Sequence, residues 1–476
     1  MLNKKKYIQL LINSFEKFSN KNFIYDISSG KKVTYANFLQ KSYSFCNFLK
    51  FKKGLKIGDK IIIKLDNSPE YLISIFACFI GGFIACPVDK LMPDERYNTL
   101  KKILKCKYEI NSFKKIKFLA KKINSKIKNK NFTCLIIFTS GSTGEPKGIQ
   151  INIDEYLGSA LAFGKLAEYE NITKIYHCLP MHYNAGLLNT FFSASFFGSE
   201  IFLGPQINVF SLLNFWDNLT KFEVNSVHIV PEIANALNKI DVNRELKSKI
   251  EKIDKIISTG SHLYDQTKED FEKKYKKRIL SCYGLTEIGG PITLQNWEDT
   301  FDENSVGRLI EDIKIKIIKK KNDNLIFVKT PYIFNSYLLA NGKIEKPQKI
   351  NGYFNTGDIG DVKNDQLYIF GRKKEVFKKG SEIISPQNIE NICIKSKLIL
   401  DCAVLTKENI NKGSKIFLLI EFKNKELSLT NLSKLKKYLS KNLKKIEFPD
   451  KILPVSKILR SVSGKLKKYD MEKIYL

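Results

Sequence analysis

The chain has 476 residues, 43% hydrophobic and 27% charged, with 80 Lys and Arg against 49 Asp and Glu, a formal charge of +31. That length and apolar content exclude a disordered or fibrous chain and predict two or three folding units. The charge raises nucleic acid or an anionic membrane surface as partners. However, the lysines pepper every segment, with one patch-like run KKIKFLAKKINSKIKNKN at 114–131, and a general Lys, Ile, Asn and Phe skew accounts for them without a specific nucleic-acid partner.

The first residues, MLNKKKYIQLLINSFEKF, hold too short an apolar stretch for a signal peptide. FIYDI and KKVTY then read as a strand pair, with a helix from Tyr35. GDKIIIKLDNSPEYLISIFACFIGGFIACPVD reads as strand, loop, helix and strand, a βαβ unit with Asn67 or Ser68 as N-cap and Pro69 opening the helix. Residues 71–88 approach the length of a bilayer span, but Gly81 and Gly82 stop the helix and FIACPVD follows as a strand, so no transmembrane segment is expected.

PDERYNTLKKIL predicts a helix and CLIIF a buried strand. The alternation continues through KIYHCLP, AGLLNTFFSASFFG, EIFLG, VFSLLNFWDNL, SVHIVP, KIDKIISTG and RILSCYG, the pattern of an α/β region with mostly parallel strands. From about residue 305 the period becomes two, as in DIKIKIIKKKNDNLIFVK, which predicts antiparallel hairpins. After GRKKEV the texture is that of a small Lys-rich α+β unit, so the expected units are 1–373 and 374–476. Nine scattered cysteines without a CxxC pair, and four histidines, argue against a structural zinc site and suit reduced thiols in a cytoplasm.

Directly after CLIIF comes FTSGSTGEPKG at 138–148, with Gly141, Gly144 and Gly148, hydroxyls on Thr139, Ser140, Ser142 and Thr143, and Lys147. Glycines free backbone amides to face an anion, hydroxyls add donors and the lysine adds charge, so the loop suits phosphates. It is neither a Walker loop nor a GxGxxG turn, and alone it reads equally as a surface turn.

The whole string resembles the phosphate-loop signature of the AMP-forming adenylate-forming superfamily, which holds acyl-CoA synthetases, adenylation domains and luciferases. Further motifs resemble that family in its order: VTYANFL, FIGGFIACPVD, PMHYNAG (180–186), STGSHL (258–263), YGLTE (283–287), YFNTGD (353–358), GRKKEVFKKGSEIISPQNIE (371–390) and SVSGKLKK (461–468). His262 stands where the family commonly has Pro. The resemblance covers roughly residues 20–470. It implies a large N-terminal α/β domain of helix-sandwiched, mostly parallel sheets with a small β-barrel-like part, and a small mobile α+β lid.

It also implies a chemistry: ATP-dependent activation of a carboxylic acid to an acyl-adenylate with loss of pyrophosphate, then transfer to a thiol. Thr139, Ser140, Gly141, Ser142, Thr143, Gly144 and Lys147 would hold the β- and γ-phosphates. Glu287 would hold Mg²⁺, and Thr286 the α-phosphate. Gly260, Ser261, Tyr283 and Gly284 would line the adenine side. Asp358 would bind the ribose and Arg372 the ribose or phosphate. Lys465 would act at the forming bond, Lys374 would be the lid hinge, and His182 would gate the acid pocket. Because PMHYNAG carries no carboxylate for an α-ammonium, the expected acid is acyl or aryl without an α-amine, as in fatty acid metabolism. LLNTFFSASFF either lines its tail or is core. CoA is the expected acceptor; the phosphopantetheine of an acyl carrier protein is the alternative. A non-enzymatic polyanion binder is disfavoured because Lys465, Glu287 and Asp358 are all present.

Overall fold

The computed structural model describes residues 7–113, 131–140, 146–205, 207–296, 298, 304–320, 323–379, 382–407, 415–422, 429–460 and 466–476. The chain is α/β, built on two large mixed sheets and a smaller C-terminal one. In the first sheet the strands Asn22–Asp26, Glu200–Leu203, Lys174–His177, Ser226–Ile229, Lys255–Ser258 and Leu280–Leu285 run parallel in that spatial order. At Leu280–Leu285 the sheet turns antiparallel, continuing through Gly290–Leu294, Ser305–Leu309, Gln366–Arg372 and Tyr353–Lys363. The period-two segments Lys314–Lys320 and Asp323–Lys329 form the antiparallel hairpin at that end.

The second sheet carries Tyr108–Ile110, Lys60–Ile63, Ile84–Pro87 and Thr133–Ser140 in parallel order, then Pro146–Asn152 and Ser336–Leu338 antiparallel. The strand Pro146–Asn152 is new relative to the sequence reading: the stretch after CLIIF folds back on its own strand. Gln150 of that strand donates to Ser336 Oγ at 3.0 Å, a partner 186 residues away.

Helix Pro69–Gly81 shows how local chemistry and burial cooperate. Ser68 Oγ accepts from Tyr71 N–H, Pro69 opens the helix, and Gly82 closes it at φ +73°. An L side chain avoids that φ, so glycine ends the helix at little cost. Pro69 and the run Tyr71–Ile80 are buried inside the main core, which is why this apolar helix needs no lipid. No helix among the described residues is long and apolar enough to cross a membrane.

Beyond residue 376, strands Ile399–Lys407, Lys415–Phe422 and Lys451–Pro454 form a separate sheet packed by helices Pro386–Lys395, Leu429–Asn442 and Lys468–Tyr475. Its apolar side chains make their own clusters, centred on Ile389, Leu418 and Leu435 on one face and Leu405, Leu419 and Met471 on the other. All nine cysteines are free and all but Cys106 are buried. Most of the run at 114–131 lies outside the described residues.

Candidate active site

The hairpin of the second sheet sets the phosphate-loop candidates. Thr139 pairs with Lys147 and Ser140 with Pro146, so both ends of the glycine-rich tip are held by strand pairing. Gly141, Ser142, Thr143 and Gly144 lie outside the described residues. Gly148 is required by close packing, since a Cβ there would come within 2.9 Å of Ile136 Cγ2. Lys147 Nζ sits 5.3 Å from the ring centre of Tyr337. Burial, then Glu287 and Glu345, push the Tyr337 phenol well above its ordinary value. Lys147 therefore stacks on a tyrosine whose phenol also feels the charge of Glu287.

Thr286 and Glu287 occupy a single turn of 3-10 helix, Thr286–Ile288, between antiparallel strands. The turn is so tight that a Cβ on Gly284 would lie 2.0 Å from Gly290 O, and Gly289 and Gly290 take φ of +96° and +106°. The backbone is pinned from outside where Phe334 N–H donates to Glu287 O at 3.0 Å.

A third element is a buried carboxylate shared by two donors. Asp358 pairs in register with Arg372 across the strands Tyr353–Lys363 and Gln366–Arg372. Its Oδ1 lies 3.0 Å from Arg372 Nε, and its Oδ2 accepts from Tyr283 OH at 2.5 Å, with the carboxylate side chain only 3% exposed. Burial, then Asp358, raises the Tyr283 phenol well above its usual range. Burial works against the Arg372 charge, but Asp358, Tyr283 and Glu287 outweigh it and raise its pKa.

In the segment expected to border the acid, His182 follows Met181, whose N–H donates to Asn67 Oδ1 at 3.0 Å, while Asn67 Nδ2 donates to Leu179 O at 2.8 Å. Asn67 thus clamps the segment that carries His182, a role its own sequence neighbourhood does not signal. The His182 ring packs 4.3 Å from Tyr183, and its Nε2 is buried without a partner. Burial lowers its pKa, with Asp89 opposing. Asn184 Oδ1 is likewise buried and unpartnered, and its amide lies 3.0 Å from where a Gly290 Cβ would stand. The acid segment and the Glu287 turn therefore abut.

The run behind them, expected as a helix, is a π-helix at Ala185–Phe192. Side chains occupy several of its carbonyls: Thr190 Oγ1 on Gly186 O at 2.6 Å, Ser193 Oγ on Leu188 O at 2.9 Å and Tyr169 OH on Asn189 O at 3.0 Å. Phe191 packs on Phe23 and Phe38, and Phe192 on Phe79 and Tyr156, with centroids 5.1–5.6 Å apart. These two rings are core.

Gly260 takes φ +97° after strand Lys255–Ser258, and Ser261 Oγ is buried with no partner. His262 Nε2 faces Asn391 Oδ1 at 3.4 Å, and burial lowers its pKa to about 4. Tyr264 OH donates to Glu390 Oε2 at 3.3 Å. A cavity of about 300 Å³ opens there, lined by His262, Tyr264 and Glu232 on one side and Leu400, Asp401 and Arg460 on the other. Arg460 bonds Asp401 through Nε at 2.8 Å and Nη2 at 2.9 Å, and Glu232 through Nη1 at 3.2 Å. Lys465 lies outside the described residues; Arg460 and Leu466 on either side of it form an isolated antiparallel bridge. Lys374 is exposed in a turn whose next two N–H groups, of Glu375 and Val376, donate to Arg372 O at 2.9 Å.

The donor set fits a nucleotide with its magnesium ion. Among the described residues no three His, Cys, Asp or Glu gather into an all-protein cage. Magnesium needs few protein ligands when phosphates supply the rest, and Glu287 offers one carboxylate. Ser261 Oγ adds a buried hydroxyl with no protein partner.

Fold and site together define a nucleotide-using ligase of the adenylate-forming class, and comparison with known proteins agrees. ATP-bound MatB from Rhodopseudomonas palustris superposes with a TM-score of 0.83 at 18% identity, covering 98% of this chain and 99% of that one. A malonate–CoA ligase of Arabidopsis thaliana is 24% identical over 71% of this chain, which spans 60% of that relative's length. A 2-succinylbenzoate–CoA ligase of Staphylococcus aureus is 24% identical over 93% of this chain and 95% of its own. The family model for AMP-binding enzymes matches residues 12–338, and the chain belongs to that family.

Proposed function

We propose that the chain joins a carboxylic acid without an α-amine to AMP, releasing pyrophosphate, and then passes the acyl group to the thiol of CoA. The observation that carries this reading is the buried Asp358 carboxylate held by Tyr283 and Arg372, with Lys147 paired to Thr139 at the end of the glycine-rich loop. The first step brings a carboxylate toward a polyphosphate, so repulsion is its main obstacle and positioned charge its remedy. Lys147, with Thr139, Ser140, Gly141, Ser142, Thr143 and Gly144, holds the outer phosphates. Glu287 holds Mg²⁺, which neutralises phosphate charge when bound. Thr286 meets the α-phosphate, Tyr283 and Gly284 the adenine, Asp358 and Arg372 the ribose, and Gly260 and Ser261 the opposite wall. His182 borders the acid, and Lys465 neutralises charge where the new bond forms.

Residues 374–476 form a lid turning at Lys374, so that Lys465 withdraws and the same cleft admits the thiol. The acid is acyl or aryl: the similar proteins are named for malonate and 2-succinylbenzoate, and PMHYNAG offers no carboxylate to an ammonium. Phe191 and Phe192, engaged in the core, leave that run little room to line a long tail. The reduced thiols suit a cytoplasmic enzyme. ATP–pyrophosphate exchange across a panel of carboxylic acids, followed by CoA or a phosphopantetheinylated carrier protein, tests the reading. Exchange with acyl or aryl acids and transfer to CoA are expected. Exchange with amino acids alone would overturn the acid assignment, and transfer only to the carrier protein would change the acceptor.

A further inference from the structure

We propose that residues 48–58, the π-helix Phe48–Lys52 and the turn after it, dock with the neighbouring edge of the second sheet on an anionic lipid surface. The segment reads FLKFKKGLKIG, and its apolar residues split into two sets. Leu49 and Leu55 are buried and anchor the turn, whose backbone closes through Leu55 N–H to Leu49 O at 3.2 Å and Gly58 N–H to Gly82 O at 2.9 Å. Phe51 and Ile57 instead face water, 67% and 69% exposed. A single exposed apolar residue is ordinary. Two in one turn, set among Lys50, Lys52, Lys53 and Lys56, all exposed, are a different arrangement.

Positive charge is continuous across to the sheet edge. Lys53 Nζ lies 5.2 Å from the ring centre of Tyr108, which belongs to edge strand Tyr108–Ile110, and Lys107 N–H donates to Lys60 O at 2.9 Å. Lys105 and Lys107 are exposed there as well. The nearby acids do not cancel this charge. Glu109 is tied to Lys101 at 2.5 Å, and Asp59, which caps the turn by accepting from Lys56 N–H at 2.7 Å, is one carboxylate against Lys50, Lys52, Lys53, Lys56, Lys105 and Lys107. No ion pair engages Lys50, Lys52, Lys53 or Lys56 among the described residues. Gly54 and Gly58 take φ of +67° and +85°, and an added Cβ at either would meet nothing within 4 Å, so those two positions face open space.

Apolar tips inside a lysine ring are what an interfacial anchor needs: the tips enter the acyl boundary while the lysines meet headgroup phosphates. A nucleic acid would use the lysines equally but gains nothing from an aliphatic tip such as Ile57. That asymmetry decides between the two polyanions. Another exposed apolar cluster among the described residues, Val209, Phe210 and Leu213, sits in PQINVFSLLN without a lysine and serves as the internal control.

Co-sedimentation of the full chain with phosphatidylcholine vesicles, with and without phosphatidylglycerol, tests the proposal. Binding is expected only to the anionic vesicles and should weaken as salt rises. Replacing Lys50, Lys52, Lys53 and Lys56 by Gln should weaken partitioning about fivefold per lysine. The pair Phe51→Ser and Ile57→Ser should weaken it by at least about fivefold. Val209→Ser with Phe210→Ser should leave it unchanged, and every variant should keep normal ATP–pyrophosphate exchange without vesicles. Vesicle binding that ignores both sets of substitutions would overturn the proposal. So would a lysine effect equal on vesicles and duplex DNA with none from Phe51 and Ile57, which would make the patch a general polyanion site.

Discussion

The hydroxyl of Tyr283 donates to Asp358 at 2.5 Å across 75 residues of sequence, while Arg372 holds the other carboxylate oxygen at 3.0 Å. Asp358 lies on one strand of the antiparallel end of the first sheet and Tyr283 where that sheet changes direction. Tyr283, at the junction of the parallel and antiparallel halves, therefore reaches a buried carboxylate carried by the antiparallel half.

Asp358→Ala removes the acceptor of both donors. Pyrophosphate exchange should fall on the order of tenfold to a hundredfold, read mainly in the ATP dependence. Tyr283→Phe deletes one hydrogen bond and should cost about 1 kcal/mol, roughly fivefold. Equal losses in the two variants would show that the phenol does more than orient the carboxylate.

Lys465→Ala separates the half-reactions. Adenylation should fall on the order of a hundredfold. Transfer from a preformed acyl-adenylate should stay within about threefold of the parent. Equal losses in both assays would sink the lid proposal.

Arg460 spans the cleft, bonding Asp401 twice and Glu232 once, and its side chain is only 17% exposed. Arg460→Ala leaves two carboxylates without that partner and should destabilise by on the order of 2 kcal/mol in denaturant unfolding. Arg460→Lys should restore little of it, because an ammonium cannot reproduce the two-pronged contact.

Burial lowers His177 to about 4 and His228 to about 3. Both folded values lie below the unfolded value near 6.5, so the unfolded chain binds more protons on acidification. Their contribution is complete above about pH 6.5 and is lost as pH falls from there toward about 4 for His177 and about 3 for His228. By about pH 5 each should have removed about 2 kcal/mol. His177→Asn, uncharged at either pH, should shrink the stability difference between about pH 5 and pH 8 by about that amount in denaturant titrations.

Phe191→Ala should destabilise by about 3–5 kcal/mol, as for a core phenylalanine, while leaving the ranking of acids in the exchange assay unchanged. A shift toward longer acids would mean that Phe191 walls the acid pocket after all.

Much of the fold was legible in the sequence because short-range rules decide it. Ser68, Pro69 and Gly82 delimit their helix by capping and φ preference alone, and the alternation of apolar runs set the parallel strands. The strand Pro146–Asn152 was not legible, since a Pro-containing polar stretch reads as a loop until Thr133–Ser140 offers it a pairing edge. The clamp by Asn67 was hidden for a similar reason: its partners lie 112 and 114 residues away.

By itself the sequence determined the inventory and order of chemical groups, from the glycine-rich loop to Lys465, because motif spacing is a property of the chain. Tertiary structure alone decided what each group meets. It put Lys147 over the ring of Tyr337, gave Asp358 to Tyr283 and Arg372, and spent Phe191 and Phe192 on the core. Such partners come from strand pairing and burial between distant segments, and no local propensity encodes which of two buried faces a side chain will occupy.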